Sequence, residues 1–368
     1  RIGIDAKWYF GGPPSGVRVI QNLLRALIEF DKENEYTIFL DQKFSSEKCD
    51  ELRSDNVTLV YLWAGNNLIS NVLVLPFIAR SYKLDVLMFQ NFVSPLYTGR
   101  KIVYIFDVLF KSYPSFFTAK ERGYFFPIKY LAWFADGIVT LSKEEKKRLV
   151  KYGYAPEDKI ESIYLGVDST FKNLSEHDSF QISEVKKRYC LPDRFLLYVG
   201  RLNSRKNIEN LIRAIPQLND KSIPLVIAGK EDWKHSNYRE LAEKAGIVDR
   251  IFFTGWTAEI DLPIIYALST VFCFPSFAEG FGLPPLEAMA SGVPTVVSNT
   301  TSLPEICGNA PMYISPEKPE ETANAINQLL SDQALRDAKI AEGLRHVFQF
   351  DWHTTARHFH KILIGKRK

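Results

Sequence analysis

The sequence predicts two doubly wound α/β domains that face one another across a cleft, and three observations predict it. The chain has 368 residues, too long for one ordinary core at roughly 150 residues per domain. Short apolar runs alternate with helix-period patterns along its whole length. Several of those runs, FLLYVG and VFCFPS among them, are continuously apolar, as strands buried on both faces are. Strand then helix, repeated, gives parallel sheets covered by helices on both sides.

Taken in order, the strand-like runs of the first half are Ile2–Ala6, Tyr36–Asp41, Val57–Leu62, Val86–Asn91, Lys101–Phe106, Gly137–Ser142 and Lys159–Gly166. Those of the second half are Phe195–Gly200, Leu225–Gly229, Ile251–Gly255, Val271–Ser276, Pro294–Asn299 and Pro311–Ser315. The halves join through Asp168–Pro192, which holds the polar run NLSEHDSFQ, a short helix-like SEVKKRY and Pro192. The domains are therefore expected at 1–172 and 173–350. Ligands of such sheets bind beyond the carboxyl ends of the strands, so two facing sheets would share one site.

Composition narrows the function. Apolar residues at 46% and charged residues at 24% describe a folded chain, not a disordered one. A net charge of +3 does not call for nucleic acid. The excess lies in residues 1–173, with 23 Lys/Arg against 20 Asp/Glu, while the remainder has 23 of each. Cys49, Cys190, Cys273 and Cys307 are scattered, which indicates neither a zinc site nor a disulfide framework and fits a reducing cytoplasm. No apolar run reaches about 18 residues, so no transmembrane helix is expected. The sequence opens on strand-like IGIDA without a signal-peptide pattern.

The densest chemistry lies in FPSFAEGFGLPPLEAMASGVPTVVSN, residues 274–299. A strand leads into the loop Ser276–Leu283, and a helix is expected from Pro284–Pro285, since Pro is tolerated where no helical N–H is lost. Such a helix start suits an anion. Gly280 and Gly282 allow the backbone close to a ligand. Glu279 lies in the loop and Glu287 in the expected first helical turn. Two acceptor-only carboxylates beside an anion site fit a ligand that also carries hydroxyls, as ribose and hexose do. Their spacing alone fits equally a helix-start Glu and a solvated loop Glu.

In YVGRLNSRKNIENLIRAI, residues 198–215, a strand ends at Gly200 and is followed by Arg201, Arg205 and Lys206 before a helix from about Asn207. Cations at that position suit a diphosphate, or form a solvated loop. In GGPPSGVRVIQNLLRALIEF, residues 11–30, Ser15 is the expected N-cap and Gly16 begins an amphipathic helix with Val17, Ile20, Leu24 and Leu27 inward. The loop is not GxGxxG and no suitably spaced acidic residue follows, which discounts a nicotinamide cofactor. In KIVYIFDVLFKSYP, residues 101–114, Asp107 ends a buried strand, either as a site carboxylate or as a partner for a nearby backbone N–H. Residues 100–160 hold 12 Lys/Arg against 7 Asp/Glu, interleaved with PSFF and YFFPIKYLAWF. That suits docking on anionic lipid, unless the rings are core and the lysines a solvated face.

Together these segments resemble the retaining glycosyltransferases of family 4, with the GT-B architecture of two Rossmann-like domains. The resemblance runs through GGPPSG, the strand ending at Asp107, VTLSKEEKKRL, IYLGVDSTF, VGRLNSRKN and EGFGLPPLEAMASGVPTVVSNTTSLPE. It implies that FDWHTTARHFHKIL, within 351–368, is a final helix crossing back onto the N-terminal domain. The N-terminal domain would bind the acceptor and the C-terminal domain the nucleotide sugar. Glu279 is then similar to the family's sugar-contacting Glu, Glu287 to the one holding the ribose hydroxyls, and Arg201 and Lys206 to its diphosphate clamp. Gly16, Gly200, Gly280, Phe281, Gly282 and Leu283 would line the donor with backbone groups. Trp256 would wall the base, or serve as plain packing. Asp107 would position acceptor or sugar.

The family usually has His-Asp where this chain has Phe106-Asp107. Either the sugar is held without the His contact, or it lacks a polar group there as a 6-deoxy sugar does, or activity is impaired. The chain has no Asp-x-Asp, the device that holds a divalent metal at the diphosphate, so no metal and no cofactor are expected. The LPPLEAMASG variant resembles mannosyl- and rhamnosyltransferases of surface polysaccharide assembly. That implies GDP-mannose as donor, ahead of a UDP- or deoxysugar nucleotide, and a glycan or lipid-linked acceptor. The expected location is the cytoplasm, at the inner membrane face. A GT-B sugar-nucleotide epimerase and a non-catalytic glycosyltransferase-like subunit are the competing readings.

Overall fold

The computed structural model describes residues 1–229 and 238–365. The chain divides into two compact units, Arg1–Gly166 with Phe350–Lys368, and Val167–Gln349.

The first unit is built on a seven-stranded parallel sheet: β1 (Ile2–Asp5), β2 (Tyr36–Asp41), β3 (Val57–Leu62), β4 (Val86–Gln90), β5 (Arg100–Tyr104), β6 (Gly137–Thr140) and β7 (Ile160–Ser162), in the order β3-β2-β1-β4-β5-β6-β7. Its central strands are buried from end to end, β1 and β4 at every residue, which explains their uninterrupted apolar runs. Helix α1 (Pro14–Phe30) covers the sheet with Val19, Ile20, Leu23, Leu24 and Leu27 inward, while Val17 is half-buried. The helix starts at Pro14 with Pro13 as N-cap, so Ser15 is inside the first turn and is not the cap. The fixed φ of Pro pre-organises the first helical position at no hydrogen-bond cost.

A second helix, α2 (Lys143–Lys151), is capped by Ser142, whose hydroxyl accepts from the Glu145 N–H at 3.1 Å. The last helix of this unit spans Trp352–Ile364 and packs along α1. It buries Ala356, Phe359 and Leu363, and the Phe359 ring lies 5.4 Å from that of Tyr104. The Arg100 guanidinium donates to the carbonyls of Leu363 at 2.6 Å and Ile362 at 2.7 Å, so a cation satisfies the last turn. Residues 366–368 of the expected C-terminal segment lie outside the described residues.

The second unit holds a six-stranded parallel sheet: β8 (Leu196–Val199), β9 (Leu225–Ala228), β10 (Ile251–Gly255), β11 (Val271–Phe274), β12 (Thr295–Ser298) and β13 (Met312–Ile314), in the order β10-β9-β8-β11-β12-β13. The strand order reverses between β8 and β11, where doubly wound sheets open a crevice. The unit begins at Val167, ahead of the expected 172/173 boundary, because Phe171 is buried with its ring 5.6 Å from that of Tyr266. At its other end it stops at Gln349, one residue short of the expected 350.

Candidate active site

The loops leaving β8 and β11 form the densest polar arrangement of the second unit. Gly200 closes β8, its N–H donating to Ala228 O at 3.0 Å. Asn203 caps the short turn Ser204–Lys206 by accepting from the Lys206 N–H at 3.2 Å. Asn207 follows in the left-handed region, φ 55°, where Asn is among the tolerated residues. Its buried amide donates to Pro275 O at 3.0 Å and Pro316 O at 2.6 Å, which ties this turn to the loop after β11. The helix that follows, Ile208–Ala214, starts one residue later than the sequence suggests.

That bracing brings two cations onto Glu279. Lys206 Nζ lies 2.8 Å from Glu279 Oε1, and Arg205 Nη1 lies 3.1 Å from Oε2 while also donating to Ala278 O. Lys206 Nζ sits 4.9 Å from the centroid of the Phe274 ring, a cation–π distance. All three side chains are at least four-fifths buried. Burial alone would raise the Glu279 carboxyl, but Arg205 and Lys206 outweigh it and hold the group at about 2. Burial lowers the Lys206 ammonium, Arg205 and Arg201 add to that, and Glu279 opposes it.

Glu279 is also held through its backbone. Its N–H donates to Thr301 Oγ1 at 2.9 Å, and the buried Ser302 hydroxyl reaches Glu279 O at 2.9 Å and Phe281 O at 2.8 Å. Gly282 adopts φ +117° as N-cap of helix Leu283–Ala290, and a Cβ there would lie 2.7 Å from Leu303 Cδ2, so the position needs Gly for conformation and for space. The helix starts at Leu283, before the expected Pro284, which puts Glu287 in its second turn and not its first. Pro284 is thus the second helical residue, a position where an N–H would have no helical partner and its absence costs no hydrogen bond. Glu287 is 2% exposed and its Oε2 accepts from the Tyr266 hydroxyl at 2.9 Å. Two cations thus meet the Glu279 carboxylate, and the Tyr266 hydroxyl meets that of Glu287. Gly280, Phe281 and Leu283 are buried between them in sequence. Arg201 is exposed just beyond Gly200. Trp256 follows β10 and is 72% exposed.

The remaining predicted residues lie in the first unit. The strand that was expected to end at Asp107 ends at Tyr104, and Asp107 is half-buried in the following loop, accepting from the Leu109 N–H at 3.2 Å. Phe106 stacks on Tyr104 with ring centroids 4.6 Å apart and lies 5.4 Å from Trp8. Trp8 also covers Gly16: a Cβ on that glycine would lie 2.7 Å from Trp8 Cε3. Trp8 thus links Gly16 to the Phe106–Asp107 loop. Glu145 of α2 pins the same loop. Its fully buried carboxylate accepts from the Val108 N–H at 3.1 Å and pairs with Arg148, whose Nε donates to Ser112 Oγ at 3.1 Å.

Sequence reasoning missed Trp8, Glu145, Arg148, Tyr266, Thr301 and Ser302, and it read Arg205 as a cation suited to a diphosphate without seeing its pairing with Glu279. Glu145 had a readable signal, the capping spacing Ser142-x-x-Glu145. The others bear on the site through tertiary contacts alone. Among the described residues no group of three or more His, Cys, Asp or Glu side chains is placed to hold a metal ion, and no helix is long and apolar enough to cross a membrane.

Residues 16–171 match the family described as Glycosyltransferase Family 4, and residues 182–346 the one described as Glycosyl transferases group 1. The O-antigen chain mannosyltransferase B of Escherichia coli is 31% identical over 279 residues, 74% of this chain and 72% of that protein. The chain belongs to the family 4 glycosyltransferases. A serotype-specific mannosyltransferase of Escherichia coli, WbdA, is 34% identical over 227 residues, 60% of this chain but only 28% of that longer protein. The crystal structure of HepE from Anabaena, in complex with UDP and glucose, has a TM-score of 0.76 over 98% of both chains at 19% identity. The family's GT-B fold accounts for the two parallel-sheet units.

Proposed function

We propose that this glycosyltransferase moves mannose from GDP-mannose, with retention at the anomeric carbon, onto a glycan or lipid-linked acceptor in cell-surface polysaccharide assembly. The observation that carries the reading is the buried Lys206–Glu279 pair, 2.8 Å apart where β8 and β11 end. The choice of mannose is supported by the 31% identity to the O-antigen mannosyltransferase.

Lys206 and Arg201, with the Leu283 N–H that opens helix Leu283–Ala290, take the leaving diphosphate without a metal. Glu287 holds the ribose hydroxyls, Glu279 the sugar, and Trp256 the base. Asp107 and the backbone at Gly16 position the acceptor side. The bond between the anomeric carbon and the leaving phosphate oxygen breaks as the bond to the acceptor oxygen forms on the same face. The acceptor's proton passes to the leaving phosphate oxygen. Exclusion of water limits donor hydrolysis.

A thermal-shift panel of GDP-, UDP-, ADP- and dTDP-sugars tests the donor, because a ligand binding only the native state raises its melting temperature. GDP-mannose is expected to give the largest rise. A larger rise with a UDP- or dTDP-sugar overturns the donor, and no rise with any of them overturns the site. Turnover of a donor without acceptor, through epimerisation, would replace the transferase reading.

A further inference from the structure

The segment YFFPIKYLAWF has no part in the chemistry above. Helices Ala119–Phe125 and Pro127–Ala132 join at Phe126, whose backbone is itself right-handed helical. One side of this stretch is core: Ile128, Ala132 and Ala135 are buried in the first unit's apolar cluster, and Phe125 and Leu131 pack against it. The other side is apolar as well. Phe126, Tyr130, Trp133 and Phe134 recur at i, i+4, i+7 and i+8 and are 51%, 56%, 59% and 51% exposed. A water-facing helix side is ordinarily polar, and four large rings in one stripe form a patch of the kind that marks an interaction site. A second stripe of Ile69, Leu73 and Phe77 is exposed on a segment whose Leu75 and Ala79 enter the same core cluster.

Charge identifies the occupant. Residues 67–83 and 111–134 carry the cations Arg80, Lys83, Lys111, Lys120, Arg122 and Lys129 against the single carboxylate Glu121, and Glu121 is engaged in a capping box with Thr118. Lys111 Nζ lies 5.5 Å from the Phe126 ring centroid, and the Arg80 guanidinium 5.0 Å from that of Phe77. Rings that seek the headgroup level, with cations on flexible stems beside them, match an anionic bilayer surface. A second copy docking the same face by two-fold symmetry would set these cations against one another. A protein interface core is depleted of lysine.

We propose that the face carrying Phe126, Tyr130, Trp133 and Phe134 docks this chain peripherally on an anionic lipid bilayer. The rings enter the interface and the surrounding lysines and arginines contact phosphate headgroups. The proposal stands on the exposed stripe and its charge, independently of the donor assignment.

Flotation with phosphatidylcholine vesicles, with and without about 30% phosphatidylglycerol, tests it. The chain is expected to float with the anionic vesicles only, and less so as salt is raised. Tyr130→Ser with Trp133→Ser is expected to reduce binding at least about tenfold. Lys120→Glu with Arg122→Glu, which leaves the rings in place, is expected to reduce it at least about fivefold. Neither variant should change the melting temperature or the shift given by the nucleotide-sugar panel, since all four side chains are exposed. The proposal is overturned by absence of flotation, by equal binding to neutral vesicles, by full binding of the ring variant, or by sedimentation showing that the rings mediate self-association.

Discussion

Lys206 Nζ and Glu279 Oε1 meet at 2.8 Å across 73 residues of sequence, joining the loops after β8 and β11. The pair holds a cation that also lies 4.9 Å from the centroid of the Phe274 ring. Lys206→Ala is expected to lower turnover by at least about 100-fold, as loss of a charge-stabilising donor does, while circular dichroism remains native. Wild-type turnover is expected to persist in excess EDTA. Near-normal turnover of the variant removes the clamp role, and EDTA inhibition removes the metal-free one.

The depressed Glu279 carboxyl makes stability depend on pH with a defined sign. The group sits near 4.5 when free and at about 2 in the folded chain. Its contribution is therefore fully present above about 4.5 and is lost as pH falls through about 2. Glu279→Gln should cost roughly 3 kcal/mol at neutral pH. Urea titrations should show the gap between wild type and variant narrowing from pH 5 downward. A gap that stays constant would falsify the ionised, cation-held carboxylate.

Tyr266 and Glu287 form the second testable couple. Glu287→Ala is expected to weaken binding of the free nucleotide at least about tenfold, or 1.4 kcal/mol, by calorimetry. Tyr266→Phe removes one buried hydrogen bond, a loss of about 0.5–1.5 kcal/mol in stability. Its effect on nucleotide affinity should be smaller than that of Glu287→Ala. Equal affinity in Glu287→Ala and wild type would remove the ribose contact.

Glu145 is a positioning residue for the Asp107 loop through the Val108 N–H. Glu145→Ala leaves the Arg148 guanidinium buried beside an N–H that has lost its acceptor, and should cost about 3–5 kcal/mol. Glu145→Gln keeps the shape and is expected to be the milder change. At temperatures where it stays folded, kcat should fall while the nucleotide-sugar thermal shift is unchanged. A fall in donor affinity instead would place Glu145 outside the acceptor side.

The central strands were legible because buried parallel strands announce themselves by local composition: FLLYVG and VFCFPS leave little else to build. Start points were harder. Ser15 has the better capping side chain, yet the backbone of Pro14 begins α1, and the same kind of slip moved Glu287 one turn along its helix. The loop positions of the site were readable from Gly, Pro and charge. Their partners were not: Tyr266 lies 21 residues from the Glu287 carboxylate it donates to, and Thr301 lies 22 residues from the Glu279 N–H it accepts from, and no spacing rule reaches that far. Phe106 was visible as a departure from the family pattern, but only its stack on Tyr104 and its contact with Trp8 show that the ring is part of an aromatic cluster and not a surface accident.

The first unit is assembled from both ends of the chain, since Phe350–Lys368 belongs with Arg1–Gly166. During synthesis the sheet β1–β7 leaves the ribosome before the helix that covers α1, buries Phe359 and accepts from Arg100, and all of Val167–Gln349 is made between them. Completion of the first unit therefore waits until the second has been made, a departure from simple N-terminal-first folding. The contiguous unit Val167–Gln349 can close while its predecessor still waits with an uncovered flank. A stop codon just after Gln349 would spare the second unit whole and still leave the first unfinished.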